Sequence, residues 1–433
     1  MIAENKIITK GYGKVIISGE HAVVYNRPAV AFAIDLCTEL EAKIIKNDIN
    51  YYNSSDNKNA VIFILENIKG KICISFDEII STFNVNGTES LTEAKSSKEN
   101  TTGNNNKFII ADNIMSDQNP TDDHNYINAG NKITINNKIN NNSNNSSDII
   151  NKLKHHFLQS LTNTFSHVSS LSTTSSMCKT KFKISTFFTQ NSLLISLKSS
   201  IPIGYCIGSS AAYNVALHKF LCVFLGKICG FSVEEEILML CNKGEEAFHN
   251  GTPSGVDVSC SLYGGVIYFE NIRKKKHLKF SSFLTKELKV FLVDSGSSKD
   301  TGKLVGGVKE MREKHKEKFD IIIEEITMIT EKIGELLTSE SYDKNSVQKF
   351  LSLIAKNHLL LKELNVSTTK IDEIFNALIQ DKFYGKITGA GGGGFMVYFV
   401  PNYRTEEFKD KLNKLNARYV KVDIISDLCE IEK

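Results

Sequence analysis

"SLKSSIPIGYCIGSSAAYNVALHKFL", residues 196–221, decides how the rest of the chain is read. The strand-like pattern of "NSLLISL" runs into a Gly- and Ser-containing loop. From Ala211 apolar residues recur at helical intervals and stop at Gly230. A strand, a loop and a helix in this order aim the first free N–H groups of the helix at whatever lies before it. With the helix dipole, they make an anion site that needs no lysine. No G-x-x-x-x-G-K-[ST] loop stands here, so Gly208, Ser209 and Ser210 would act through backbone N–H groups and hydroxyls. Taken alone, the stretch reads first as an ordinary serine-capped helix.

Around it, 433 residues are enough for two domains. The 41% hydrophobic and 23% charged composition is that of a globular protein, and a net charge of +3 argues against nucleic acid or an acidic membrane as partner. No apolar run approaches the roughly 18 residues of a bilayer span, and "MIAENKIITKGYGK" lacks a secretion-signal core. Nine scattered cysteines without metal-ligand spacing read as reduced thiols of a cytoplasmic protein. Residues 86–180 are rich in Asn, Ser, Thr, Asp and Lys, which predicts a disordered or loosely packed insertion. A short helix near "SDIINKLKHHFLQSLTNTF" (147–165) would carry His155 and His156 on a solvated face. "AVAFAIDLCTELEAKI" is ambiguous between helix and strand, and "AVIFILENIKGKICISF" reads as two strands with a turn near Asn67 to Gly70. Ser232 and Glu235 form an S-x-x-E capping box ahead of "EILMLCNKGEEAFHN". A shift in composition near residues 274–285 divides the chain into 1–285 and 286–433, both of mixed α+β character.

Three further motifs bear on chemistry. "GKVIISGEHAVVYNRPAVA" (13–31) places Lys14, Glu20 and His21 around an apolar strand, though a surface turn between strands has the same composition. "GEEAFHNGTPSGVD" (244–257) offers Glu246 near a helix end and Asp257 after a Pro-Ser-Gly turn. A carboxylate there is often only a turn residue. Phosphoryl transfer, however, needs an acidic metal ligand and a second carboxylate near the acceptor hydroxyl. "TGAGGGG" (388–394) lies between strand-like segments, where a flexible linker is a poor explanation. Glycines are needed where backbone must approach another molecule or another backbone closely.

In this order, "GEHAVVY" (19–25), "GSSAAYNVAL" (208–217), "GTPSGVD" with "LYGG" (251–265) and "KITGAGGGG" (386–394) resemble the galactokinase, homoserine kinase, mevalonate kinase and phosphomevalonate kinase (GHMP) superfamily. Within it, the mevalonate kinase branch is the most similar. The resemblance implies a two-domain α+β fold, with an N-terminal ribosomal-protein-S5-domain-2-like domain, a C-terminal ferredoxin-like domain and the active site in the cleft between them. It further implies that ATP phosphates rest on Gly204, Gly208, Ser209, Ser210 and Ala211, with Mg²⁺ on Ser210 and Glu246. Asp257 would take the proton of the acceptor's primary hydroxyl, with Lys14 beside it. Glu20, His21, Thr301, Gly389 and Gly391 would line the substrate site. The implied reaction is ATP-dependent phosphorylation of mevalonate, and the resemblance is compatible with a homodimer. Another small alcohol, such as a sugar or homoserine, remains open as acceptor, as does an inactive metabolite-binding relative. The chain departs from the family pattern at Tyr12, where a proline is usual, and at Cys206 and Ile207, where glycine and leucine are usual.

Overall fold

The computed structural model describes residues 6–46, 60–65, 70–75, 77–79, 143–170, 183–184, 186–202, 204–229, 236–248, 253–271, 274–278, 283–296, 301–339 and 341–425. Burial along β1 (Lys6–Ser18) alternates as far as Tyr12 and is then continuous from Gly13 to Ser18. The change marks where the strand, solvated on one face at its start, becomes covered on both. The ambiguous apolar stretch that follows is a strand, β2 (Ala29–Lys46), because it pairs antiparallel with β1, β5 (Asn191–Ser199) and β6 (Val266–Asn271). β3 (Ala60–Leu65) and β4 (Gly70–Ser75) form the expected antiparallel pair, and the turn between them lies outside the described residues. With β7 (Lys274–Leu278) the first sheet runs β4-β3-β5-β2-β6-β7, with β1 also on β2.

The segment expected to be loose contains a core helix. α1 (Ser143–Ser170) is 28 residues long, and its Phe157, Leu161 and Phe165 are buried in one cluster with strands β3 and β4. Phe157 meets Phe63 edge-on at 4.7 Å. Of the histidine pair, His155 is exposed, whereas His156 is buried and not solvated. The cause is helical periodicity: His156 follows Leu153 and precedes Ser160 on the face turned into the protein. The remainder of 86–180 lies outside the described residues.

α2 (Ser209–Cys229) is apolar nearly all round, as suits a helix packed on several sides. It is long and apolar enough to cross a membrane by length and composition, but most of it is buried inside the protein. It is the central core helix, flanked by α1, α3 (Ile237–Glu245) and α4 (Val256–Tyr263). Gly230 and the Ser232–Glu235 capping box lie outside the described residues.

β8 (Leu288–Asp294) opens the second sheet, followed by α5 (Thr301–Lys314), α6 (Lys316–Thr338), α7 (Lys344–Glu363) and α8 (Thr369–Ile379). α5 and α6 are separated at His315, which leaves helical geometry at φ −135°. β9 (Tyr384–Ile387), β10 (Phe395–Pro401), α9 (Thr405–Lys414) and β11 (Tyr419–Val422) complete the order. The sheet order is β11-β8-β10-β9, with three antiparallel pairings. This is the β-α-β-β-α-β ferredoxin-like pattern. One core joins the two sheets: Phe32 of β2 meets Phe399 of β10 at 6.1 Å. Beyond β11 the described chain returns to the first sheet, where Ile425 N donates to Ala33 O and Gly265 N donates to Ile425 O.

Candidate active site

The loop before α2 is locked onto β1 by Lys14. The backbone N–H of Lys14 donates to Ile207 O at 2.9 Å, and its ammonium lies 3.4 Å from Cys206 O and 3.2 Å from Asp257 Oδ1. Asp257 reaches that position from the first turn of α4, which Gly255 starts in the left-handed conformation at φ 88°. Gly208, at φ +77°, is needed at the helix entry, because a Cβ there would stand 2.9 Å from Lys14 Cγ. Burial works against the Lys14 ammonium, but the Asp257 carboxylate beside it prevails and holds the pKa above the ordinary lysine range. Lys14 is thus a fixed cation at the mouth of a helix N-terminus, with a partly exposed carboxylate in reach.

Cys206 occupies φ +62°, the left-handed region in which glycine is at ease and an L side chain is strained. The carbonyl that meets Lys14 depends on this conformation. The glycine-rich loop closes over it: a Cβ at Gly389 would stand 2.6 Å from Cys206 Cβ. Thr388 Oγ1 accepts from Ile16 N at 3.2 Å, and His21 Nε2 meets Ala390 O at 3.1 Å. The run "TGAGGGG" therefore serves close backbone approach between the two halves of the chain.

Two expected site residues lie apart from the contacts expected of them. Glu246, expected to hold a metal with Ser210, is exposed, and the glutamate that faces Ser210 is Glu245. Ser210 Oγ donates to Glu245 Oε2 at 3.2 Å, and Glu245 is 1% exposed. The helical repeat accounts for this: Leu238, Cys241 and Glu245 share the buried face of α3, and Glu246 is one residue further round. Glu20, expected against a substrate, is closed inside an ion pair with Lys386 and accepts from Asn357 Nδ2 at 3.4 Å. Lys386 also donates to Ile16 O and Ile387 O, at 3.4 and 2.6 Å. Neither Lys386 nor Asn357 was singled out by sequence reasoning, since a lysine before "ITGAGGGG" carries no local sign of burial.

Gly204 (φ +83°), Ser209, Ser210 and Ala211 lie where expected, along the loop and first turn of α2. Gly391 packs against Val366 O, 2.4 Å from where its Cβ would be. Thr301 begins α5, and its side chain lies outside the described residues. Buried Glu245 and the Ser210 hydroxyl are hard oxygen donors of the kind Mg²⁺ takes, few in number and adjacent to the N-terminus of α2.

Residues 173–265 match the GHMP kinases N terminal domain and residues 338–418 match the GHMP kinases C terminal domain. The chain is similar to the GHMP kinases over these two stretches, which together make up less than half of it. It is similar to the mevalonate kinase of Pyrococcus furiosus, 33% identical over 213 residues, which are 49% of this chain and 61% of that protein. It is also similar to the mevalonate kinase of Schizosaccharomyces pombe, 33% identical over 225 residues, 50% of this chain and 55% of that one. The chain therefore spans less than two thirds of the length of these curated relatives in the matched region. The crystal structure of the Methanococcus jannaschii mevalonate kinase superposes with a TM-score of 0.63 over 97% of this chain and 98% of that one, at 24% identity. The fold is the two-domain α+β fold that the motifs implied.

Proposed function

We propose that this protein transfers the γ-phosphoryl group of ATP to the primary hydroxyl of mevalonate, giving 5-phosphomevalonate and ADP. The observation that carries the reading is the Lys14–Asp257 pair at 3.2 Å, set beside the N-terminus of α2. The first turn of α2, with Gly208, Ser209, Ser210 and Ala211, receives the phosphates through backbone N–H groups. Ser210 and Glu245 would hold Mg²⁺, which supplies positive charge to the phosphate oxygens when bound. Asp257 accepts the hydroxyl proton as the acceptor oxygen attacks phosphorus and the bond to the ADP oxygen breaks. Lys14 stabilises the negative charge that develops on the attacking oxygen, and its raised pKa keeps it cationic for this role. His21, Thr301, Gly389 and Gly391 are the proposed acceptor-side residues. The choice of mevalonate as acceptor is supported by the two relatives of that name. The free thiols of Cys37, Cys73, Cys206, Cys222, Cys241 and Cys260 support a reducing, cytoplasmic location. The test is ADP release with mevalonate, compared with galactose and homoserine. Mevalonate should give the highest kcat/KM, and Asp257→Ala should abolish transfer. Equal turnover in that variant, or none in the wild type, refutes the reading.

A further inference from the structure

Asn214 lies one turn beyond Ser210 on α2 and is fully buried. Its side-chain amide donates to Glu245 Oε1 at 2.5 Å and to Ser210 O at 3.3 Å. It thus touches both residues that the functional reading assigns to the metal. With Oε1 held by the amide, Oε2 is the oxygen turned toward the Ser210 hydroxyl. A neutral donor orients a carboxylate without cancelling its charge, as a lysine in the same place would. The charge stays available to a cation.

The surroundings of Asn214 are built to hold it. α3 approaches α2 this closely because residue 244 is glycine: a Cβ there would stand 2.5 Å from Asn214 Oδ1 and 2.7 Å from His218 Cε1. Behind this contact, His218 Nδ1 meets Asn214 O at 2.8 Å and His156 Nε2 meets Gly244 O at 3.2 Å. Carbonyl oxygens only accept, so His218 carries its proton on Nδ1 and His156 on Nε2. Burial keeps both rings neutral, with pKa values lowered to about 4. Two neutral imidazoles therefore brace the backbone at Asn214 and at Gly244, the residue before Glu245. His156 comes from α1, so the segment expected to be a loose insertion contributes to this support.

The geometry points to Asn214 as a positioning residue that aims Glu245 at the metal–nucleotide site, an inference that rests on reading Ser210 and Glu245 as the metal's holders. Outer hydrogen bonds of this kind typically change metal affinity by about 10–100-fold. The test is Mn²⁺ binding in the presence of a non-hydrolysable ATP analogue, followed by electron paramagnetic resonance on the full chain. Asn214→Ala should weaken Mn²⁺ binding by about 10–100-fold while KM for mevalonate stays within about twofold of wild type. Asn214→Leu has a similar volume but no donor, and should lose Mn²⁺ affinity as Asn214→Ala does, whereas Asn214→Gln, which keeps an amide donor, should recover part of it. A merely structural role would not separate these two variants by their donor. Unchanged Mn²⁺ affinity in a folded Asn214→Ala variant overturns the inference. If that variant does not fold, an Asn214→Leu variant with wild-type Mn²⁺ affinity overturns it instead. Wild-type protein that binds no Mn²⁺ overturns the metal reading and this inference together. Wild type that binds Mn²⁺ but phosphorylates no mevalonate refutes only the acceptor, and the Asn214 measurements still decide the positioning role.

Discussion

Removing the Lys386 ammonium tests the most heavily buried electrostatic contact beside the site. Lys386 is 0% exposed and Glu20 is 1% exposed, so neither charge is relieved by water. In Lys386→Met, Glu20 keeps only the Asn357 amide, and the carbonyls of Ile16 and Ile387 each lose a charged donor. Breaking a buried pair from one side costs about 3–5 kcal/mol, because the remaining charge is left uncompensated. Glu20→Gln should cost less, since Lys386 retains both carbonyl acceptors. The double variant Glu20→Gln with Lys386→Met removes both charges. It should be more stable than the sum of the single losses predicts, by at least about 2 kcal/mol of coupling. The assay is a double-mutant cycle on urea midpoints, with KM for the acceptor measured on each protein. A loss below about 1 kcal/mol in Lys386→Met would refute the reasoning. So would a Glu20→Gln variant of wild-type stability whose only defect is a raised acceptor KM, because Glu20 would then face the substrate.

Three further outcomes follow from the site and its surroundings. Glu245→Gln should raise the Mg²⁺ concentration needed for half-maximal ADP release by about tenfold or more, and Glu246→Gln should leave it unchanged; the reverse pattern would restore the sequence assignment. Cys206→Val should raise KM for ATP about tenfold, because a β-branched residue resists φ +62°, whereas Cys206→Gly, suited to that conformation, should keep activity in the same steady-state assay. His156 and His218 have folded pKa values near 4 against an ordinary 6.5, so the unfolded chain binds more protons between those values. Stability is complete above about pH 6.5 and is lost as pH falls toward 4, by about 3 kcal/mol for the first ring to protonate. Urea midpoints measured across that range, with His156→Phe as the comparison, check the slope.

The order of four short motifs was legible in the sequence because phosphate binding by a helix end, a proton acceptor and a close-approach glycine run each need particular residues at short local spacing. That the second half is ferredoxin-like was implied by the family resemblance alone; its composition gave only its mixed α+β character. Local pattern went wrong where burial depends on a distant partner. The Asn-rich composition around residues 86–180 outweighed the apolar stripe of α1, although Phe157, Leu161 and Phe165 find their neighbours on β3, β4 and α2. The family resemblance put Glu246 with Ser210, but the carboxylate that faces Ser210 is set by which face of α3 packs on α2. The sequence by itself thus put forward residue types suited to the proposed chemistry, because that depends on side-chain type and local spacing. Only the tertiary structure decided which of two adjacent glutamates faces Ser210, that Glu20 answers to Lys386, and that Asn214 stands behind Glu245. Those choices depend on contacts between residues 31 to 366 positions apart in the chain, where local pattern carries no information.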